Sequence, residues 1–413
     1  MKRNPLLPSP LAARLCAALL MLVSAAASAR AGEKVLFPMS SQTPGPNSAL
    51  TADGAGNFYG IAGGPAGVLG GCNQVYELSP TSGGQWQVTV IYKFQNCAQN
   101  GMYPLGSLSI DKEGNLYGSE YNSLSDGSGQ VYELKKRPGG NWLFGVLHNF
   151  PPSEGGPVGD LTFDSAGNIY GATYYASTAF DGEVFELSPQ SNGTWKESIL
   201  YTFNYTAPPA GPADGLTFDS QGNLYGPAFY GSHGGYGAIY KLSPQSNGSW
   251  ALTTLYNFKS GPDGSEPNSK LVFDSEGNLY GTALEPANGQ VFQLRPAGGG
   301  LWTKTTIHAF LQSNQSDGRQ PLGTLVFDSK GNLYGETEFG GTGCNQNLCG
   351  VIYELSPQAG GSWTETILHQ FESAEDGSEP QGGITLDGAG NIYGTTYHGG
   401  SRYGYGTIFE ITP

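Results

Sequence analysis

Asp219-Ser220-Gln221-Gly222-Asn223-Leu224-Tyr225-Gly226 is one copy of a phrase that returns at 53–60, 111–118, 164–171, 274–281, 328–335 and 387–394. Its form is Asp-x-x-Gly-Asn-(Leu/Ile/Phe)-Tyr-Gly, and a spacing of about 55 residues marks a repeat architecture. Leu216-Thr217-Phe218 before it is a short apolar run. Asp219 suits the start of a tight turn, because its carboxylate can accept a backbone N–H two residues on, and Gly222 can take the positive φ that closes a hairpin. A looser loop from Phe229 to Gly237 leads into Ala238-Ile239-Tyr240-Lys241-Leu242, which alternates apolar and polar residues. Ser243-Pro244-Gln245-Ser246-Asn247-Gly248 then punctuates, and Trp250 to Phe258 reads as a further strand.

Four antiparallel strands per repeat, tandemly repeated, predict propeller blades. Third strands recur at Val75-Tyr76-Glu77-Leu78, Val131-Tyr132-Glu133-Leu134, Val184-Phe185-Glu186-Leu187, Val291-Phe292-Gln293-Leu294, Ile352-Tyr353-Glu354-Leu355 and Ile408-Phe409-Glu410-Ile411. All six tryptophans (Trp86, Trp142, Trp195, Trp250, Trp302 and Trp363) fall at the start of fourth strands, which points to packing between blades. The seventh repeat reaches Pro413 right after its third strand, while Glu33-Lys34-Val35-Leu36-Phe37 resembles the end of a fourth strand. The expected fold is therefore all-β: a seven-bladed β-propeller of four-stranded antiparallel blades, with the N-terminal strand completing the last blade and removing its open edge.

Composition agrees with many turns and aromatic cores. Among 413 residues there are 65 Gly, 27 Pro, 24 Tyr and 19 Phe, and only 13% are charged. Residues 1–31 read as a secretory signal peptide. Lys2, Arg3 and Arg14 precede the apolar run 15–23, and Ala27-Ser28-Ala29 or Ala29-Arg30-Ala31 suits signal peptidase. Removing them leaves 15 Lys plus Arg against 34 Asp plus Glu, a net charge of −19 over 32–413. Such a chain repels nucleic acid and anionic membranes. An exported location, extracellular or periplasmic, with no membrane insertion after signal cleavage and a monomeric state, is the expectation. An oxidising compartment favours disulfides, with Cys72–Cys97 and Cys344–Cys349 the pairings nearest in sequence.

The run Gly-Asn-Leu-Tyr-Gly-x-Thr, a Gly-Gly loop, then Gly-x-(Val/Ile)-(Phe/Tyr)-x-Leu resembles the GloVer tandem repeat of exported bacterial proteins with varied C-terminal sorting anchors. The copy 391–411 fits best, with Asn391-Ile392-Tyr393-Gly394-Thr395-Thr396, Gly399-Gly400 and Gly406-Thr407-Ile408-Phe409-Glu410-Ile411. The phrase is also similar to NHL-type propeller repeats, among which are lyases, lactonases and pure binders. The resemblance implies no established activity and carries no catalytic residue over. No anchor pattern follows Pro413, so a released protein is expected.

In a propeller, the fourth–first and second–third connections share one face, and here these vary while the opposite turns are nearly uniform. Function in such scaffolds sits on the variable loops. Three features of that face are candidates. The acidic turns at Asp263, Asp317 and Asp376 are expected to approach the axis and could hold Ca²⁺, although Asp-Gly and x-Pro are also ordinary turn chemistry. Tyr121, Tyr174, Phe229 and Tyr397, with Phe339 and Tyr403 nearby, could stack on sugar rings or simply pack between blades. His233 and His398 lie in second–third loops and could act as general bases, whereas His148, His308 and His369 replace the tyrosines of other fourth strands and read as structural. No Gly-x-Ser-x-Gly elbow or phosphate loop is present. The leading expectation is a secreted, non-catalytic module binding a carbohydrate or a cell-surface partner. The alternative is a lyase or hydrolase of polysaccharides or lactones, acting at the axial end of the variable face.

Overall fold

The structure, a computed structural model, describes residues 32–413 except 44, 64–72, 96–101, 123–127, 175–181, 232–234, 286–287, 312–315, 343–348, 374 and 401–403. These residues form seven antiparallel sheets. Blade 1 runs Thr51–Ala52, Phe58–Ala62, Gln74–Pro80 and Trp86–Lys93 from the innermost strand outward. Blades 2, 3 and 6 begin with the long inner strands Met102–Ile110, Pro157–Phe163 and Gly318–Phe327. In blades 4, 5 and 7 the inner strand is broken in two, as in Ser378–Pro380 and Thr385–Leu386. The last blade closes as the sequence predicts: Gly32–Pro38 pairs antiparallel with Thr407–Thr412, from Gly32 opposite Thr412 to Pro38 opposite Thr407. Among the described residues no helix is long and apolar enough to cross a membrane.

The repeated phrase is a clamp. In each copy the Asp carboxylate accepts backbone N–H bonds from residues two and four further on, while its other oxygen accepts the Asn side chain. At Asp219 these bonds are 2.9, 2.9 and 2.7 Å. The strand-two tyrosine completes the clamp, its hydroxyl donating to the same Asp at 3.0 Å in Tyr225 and 2.9 Å in Tyr280. Burial opposes ionisation of Asp219, but the donors outweigh it and hold the carboxyl below its usual range. All seven Asp hold their own turns in this way.

The tryptophans pack between blades, as expected. Trp142, Trp195, Trp302 and Trp363 each meet the strand-two Tyr of the preceding blade edge-on, at 5.7, 6.4, 6.4 and 5.8 Å. Nearer the axis, hydroxyls latch neighbouring inner strands. Thr51, Ser109, Thr162, Thr217 and Thr385 donate to the carbonyls of Leu108, Leu161, Leu216, Leu271 and Leu50, the last bond joining blade 7 to blade 1.

The glycine ending each phrase is needed for lack of a side chain. The third-strand ring lies over it, Phe185 over Gly171 and Tyr353 over Gly335, and a Cβ at either position would fall inside that ring's van der Waals envelope. Gly171→Ala is expected to cost about 1–3 kcal/mol through overpacking and lower the melting midpoint by several degrees. Gly388→Ala, where a Cβ meets nothing within 4 Å, is the matched control and leaves the midpoint unchanged. Equal melting curves for the two variants would remove the steric account.

Candidate functional site

The variable face is built where each inner strand enters and each second strand leaves. At the entry, blades 1 and 4 use Gly-Pro, with Gly45 and Gly211 at φ 53° and 65°. Blades 5, 6 and 7 place Glu266, Gln320 and Glu379 before the same Pro, at φ 57°, 55° and 58°. This left-handed conformation disfavours a side chain by roughly 1–2 kcal/mol. The backbone bonds formed there, such as Glu379 N–H to the Cys349 carbonyl at 2.9 Å, do not call for a carboxylate. Strain of this kind is a pointer to function.

Around Glu379 the chain assembles a half-buried polar and aromatic notch between blades 6 and 7. His398, at the end of Ile392–His398, lies opposite Ser378 and brings Nε2 within 3.6 Å of the Glu379 carboxylate. The ring of Tyr397 meets that imidazole edge-on at 4.6 Å. From blade 6, Phe339 lies opposite Arg319, whose guanidinium carbon stands 5.3 Å from the ring centre. Glu338 accepts a 2.9 Å bond from the Gln381 side chain of blade 7.

The charges there are held unevenly. Burial pushes the Glu338 carboxyl up to about 7, helped by the Glu379 charge and opposed by Gln381 and Arg319. Burial likewise raises Glu379, against the pull of His398, and raises the Tyr397 phenol, which also feels Glu379. The Glu338 carboxyl, held partly protonated near neutrality, the Glu379 carboxylate, an imidazole, a phenol and a guanidinium can together donate and accept hydrogen bonds to a hydroxyl-rich ligand. The same imidazole–carboxylate pair has the makings of a general base and its orienting partner.

The expected aromatics fall into three situations. Tyr397 and Phe339 belong to the notch. Tyr174 and Phe229 pack against each other edge-on at 5.2 Å between blades 3 and 4, and Tyr121 is half-buried over Gly156, whose Cβ it would block. Tyr403 and His233 lie outside the described residues. So do Cys72, Cys97 and Cys344, while Cys349 is buried in the core shared by blades 6 and 7.

The acidic turns bond within their own loops and to outer-strand side chains. Asp263, Asp317 and Asp376 cap their own loops, accepting the N–H groups of Lys259, Leu311 and Glu372, which turns their carboxylates toward the outer strands. There Asp263 meets the Tyr256 hydroxyl at 2.5 Å, Asp317 meets His308 at 3.4 Å and Asp376 meets His369 at 3.0 Å. Sequence reasoning met Arg319 and Glu379 only as parts of the acidic turns, and missed Glu338 and Gln381. One signal was available: Glu379-Pro380 stands where repeats 1 and 4 have Gly-Pro. On the opposite face, a cleft of about 480 Å³ between blades 3 and 4 is lined by Asp164, Asp219 and Trp250.

A closed ring of seven clamped blades with a polar notch on its variable face defines a β-propeller. The chain belongs to the Gloeobacter/Verrucomicrobia repeat family, whose model matches residues 159–409. No match is found among curated proteins. Among solved structures, an ulvan lyase bound to -[GlcA(1-4)Rha3S]- is similar over 91% of this chain and 95% of its own, with 14% identity and a TM-score of 0.53. A puromycin hydrolase mutant complexed with PGG is similar at 14% identity and a TM-score of 0.54, covering 86% of this chain. This chain spans 50% of that hydrolase. A protein from Lactobacillus plantarum is similar at 16% identity and a TM-score of 0.50, over 78% of this chain and 84% of its own. At such identities the likeness is one of fold.

Proposed function

We propose that the protein is an exported propeller that binds a carbohydrate in the notch between blades 6 and 7, without turning it over. The observation that carries this is Glu379: a carboxylate kept in a left-handed backbone conformation that glycine fills elsewhere, aimed at His398. Tyr397 and Phe339 supply ring faces, and Arg319, Glu338 and Gln381 supply hydrogen-bonding groups. A net charge of −19 over 32–413 disfavours nucleic acid and anionic lipid as ligands. Screening the protein against a panel of extracellular glycans is expected to find a ligand, with Tyr397→Ala and Phe339→Ala each weakening it about tenfold, the loss of roughly 1–2 kcal/mol of ring contact. A panel without a ligand, or equal affinity in both variants, overturns the proposal.

The pairing of His398 with Glu379 favours one second reading, a lyase in which the imidazole takes a proton from the sugar ring. The overall likeness to an ulvan lyase is in keeping with it. Under this reading His398→Ala abolishes turnover of the glycan while leaving its affinity largely intact. Under the first reading there is no turnover to lose.

A further inference from the structure

The seams between the outer strands of neighbouring blades follow one rule. Each outer strand has a residue opposite the third-strand Val or Ile, and it faces a residue of the next blade's outer strand that lies opposite the third-strand Leu or Ile. At three seams the first is Tyr or Phe and the second is apolar. Tyr92 stacks on Phe144 at 4.4 Å, Tyr201 and Leu252 pack in one core, and so do Phe37 and Val88. Wherever the first is histidine the second is glutamate: His148 with Glu197, His308 with Glu365, and His369 with Glu33. Each histidine also has a carboxylate from the connecting loop beside it: Glu154, Asp317 or Asp376.

The seam between blades 4 and 5 shows how this fold handles a carboxylate there. Tyr256 donates to Asp263, and the ammonium of Lys304, only 3% exposed, sits 3.7 Å from the same Asp. One anion is matched by one cation. At the histidine seams the lysine is replaced by a glutamate, so two carboxylates face an imidazole.

We propose that the seams between blades 2 and 3 and between blades 5 and 6 are binding sites for a divalent transition metal, Zn²⁺ by its donor set. His308 Nε2 lies 3.4 Å from the Asp317 carboxylate and 3.3 Å from that of Glu365. A tetrahedral zinc ion with bonds of 2.0–2.1 Å sets its ligand atoms about 3.3 Å apart. His148 Nε2 lies 3.2 Å from Glu197 and 4.0 Å from Glu154. Among the described residues these are the two groups in which three such ligand atoms lie within 4.8 Å of one another.

An independent observation points the same way. His148 Nε2, Glu154 Oε2, Glu197 Oε1 and Glu365 Oε1 are sealed from solvent and have no hydrogen-bond partner, although their neighbours stand close. His148 approaches Glu197 and Glu154 without the alignment a proton would require, and a metal placed there would satisfy the orphaned atoms, while at His308 the metal would replace the 3.4 Å hydrogen bond to Asp317 and take up the orphaned Glu365 oxygen. Zn²⁺ with a neutral imidazole and two carboxylates restores the zero net charge of the lysine seam. An imidazole nitrogen also suits zinc better than calcium, which prefers oxygen. The seam between blades 6 and 7 repeats the residue types with His369, Asp376 and the buried Glu33 oxygen.

The test uses the full chain stripped with EDTA, dialysed against micromolar Zn²⁺ and analysed for bound metal and melting midpoint. About two or more equivalents of zinc and a midpoint raised by several degrees are expected, with Ca²⁺ giving neither. The double variant His308→Tyr with Glu365→Lys transplants the lysine seam and is expected to fold and to bind one equivalent fewer. His148→Tyr with Glu197→Leu, which copies the seam of Tyr201 and Leu252, is the second swap should the first not fold. Absence of retained zinc, or unchanged stoichiometry in a folded swap variant, overturns the proposal.

Discussion

Deletion of residues 32–38 is expected to leave a chain that aggregates or melts far below the full protein. The segment is the entire outer strand of blade 7, paired with Thr407–Thr412 along its length. Without it the ladder of residues 407–412 becomes a bare edge, which is a template for pairing with other chains. Leu36 is buried with Met39 and Ile408 in the core that joins blade 7 to blade 1, and Phe37 packs on it. Two such side chains contribute about 1.5–3 kcal/mol each, and the lost ladder adds to that. The sum is of the order of 5 kcal/mol, comparable with the whole stability of many domains. Adding a peptide of residues 32–38 in trans should restore part of the midpoint by strand addition. Full-length and truncated proteins with the same melting curve would show that the ring does not depend on this closure.

The second large effect concerns Glu336, whose side chain is buried at the junction of blades 6 and 7. Its Oε1 accepts the Gly383 N–H at 2.6 Å, while Oε2 is sealed from solvent without a partner. Burial pushes its carboxyl up to about 8; the Gly383 bond opposes this and the nearby Glu338 adds to it. The unfolded chain releases this proton near pH 4.5, whereas the fold retains it to about 8. Stability from this group is therefore complete below pH 4.5 and is lost as pH rises toward 8, by about 1.4 kcal/mol per unit and on the order of 5 kcal/mol in all. Glu336→Gln keeps the acceptor for Gly383 and removes the titration. Urea unfolding of the variant should fall off less steeply than wild type between pH 5 and 8. Asp214 and Glu120, raised by burial to about 6 and 7, act in the same direction in both proteins, so the difference between the two isolates Glu336. Parallel pH profiles would refute the assignment.

The notch was only partly legible beforehand. His398, Tyr397 and Phe339 stand out because they break the blandness of loops rich in Gly and Ser. Arg319 and Glu338 lie 79 and 60 residues before His398 in sequence and join it only because blade 6 docks against blade 7, whereas Gln381 lies 17 residues before it within blade 7. The three acidic turns were legible as turns, but their direction was not. An Asp that caps its own loop aims wherever that backbone leads, and here it leads to the outer seams.

What the sequence by itself determined is the blade. Asp-x-x-Gly-Asn-x-Tyr-Gly specifies its turn, its clamp and the gap that the third-strand ring fills, because all of these are local contacts repeated seven times. The N-terminal match to a fourth strand pointed to closure because blade 7 repeats the pattern of the others and lacks that strand, although the pairing joins the two ends of the chain. Only the tertiary structure decided which distant side chains face one another, across blades as His308 does Glu365 and within blade 7 as His398 does Glu379. Those meetings depend on how neighbouring blades pack and on where the backbone takes a left-handed step, and neither is written in the period of the repeat.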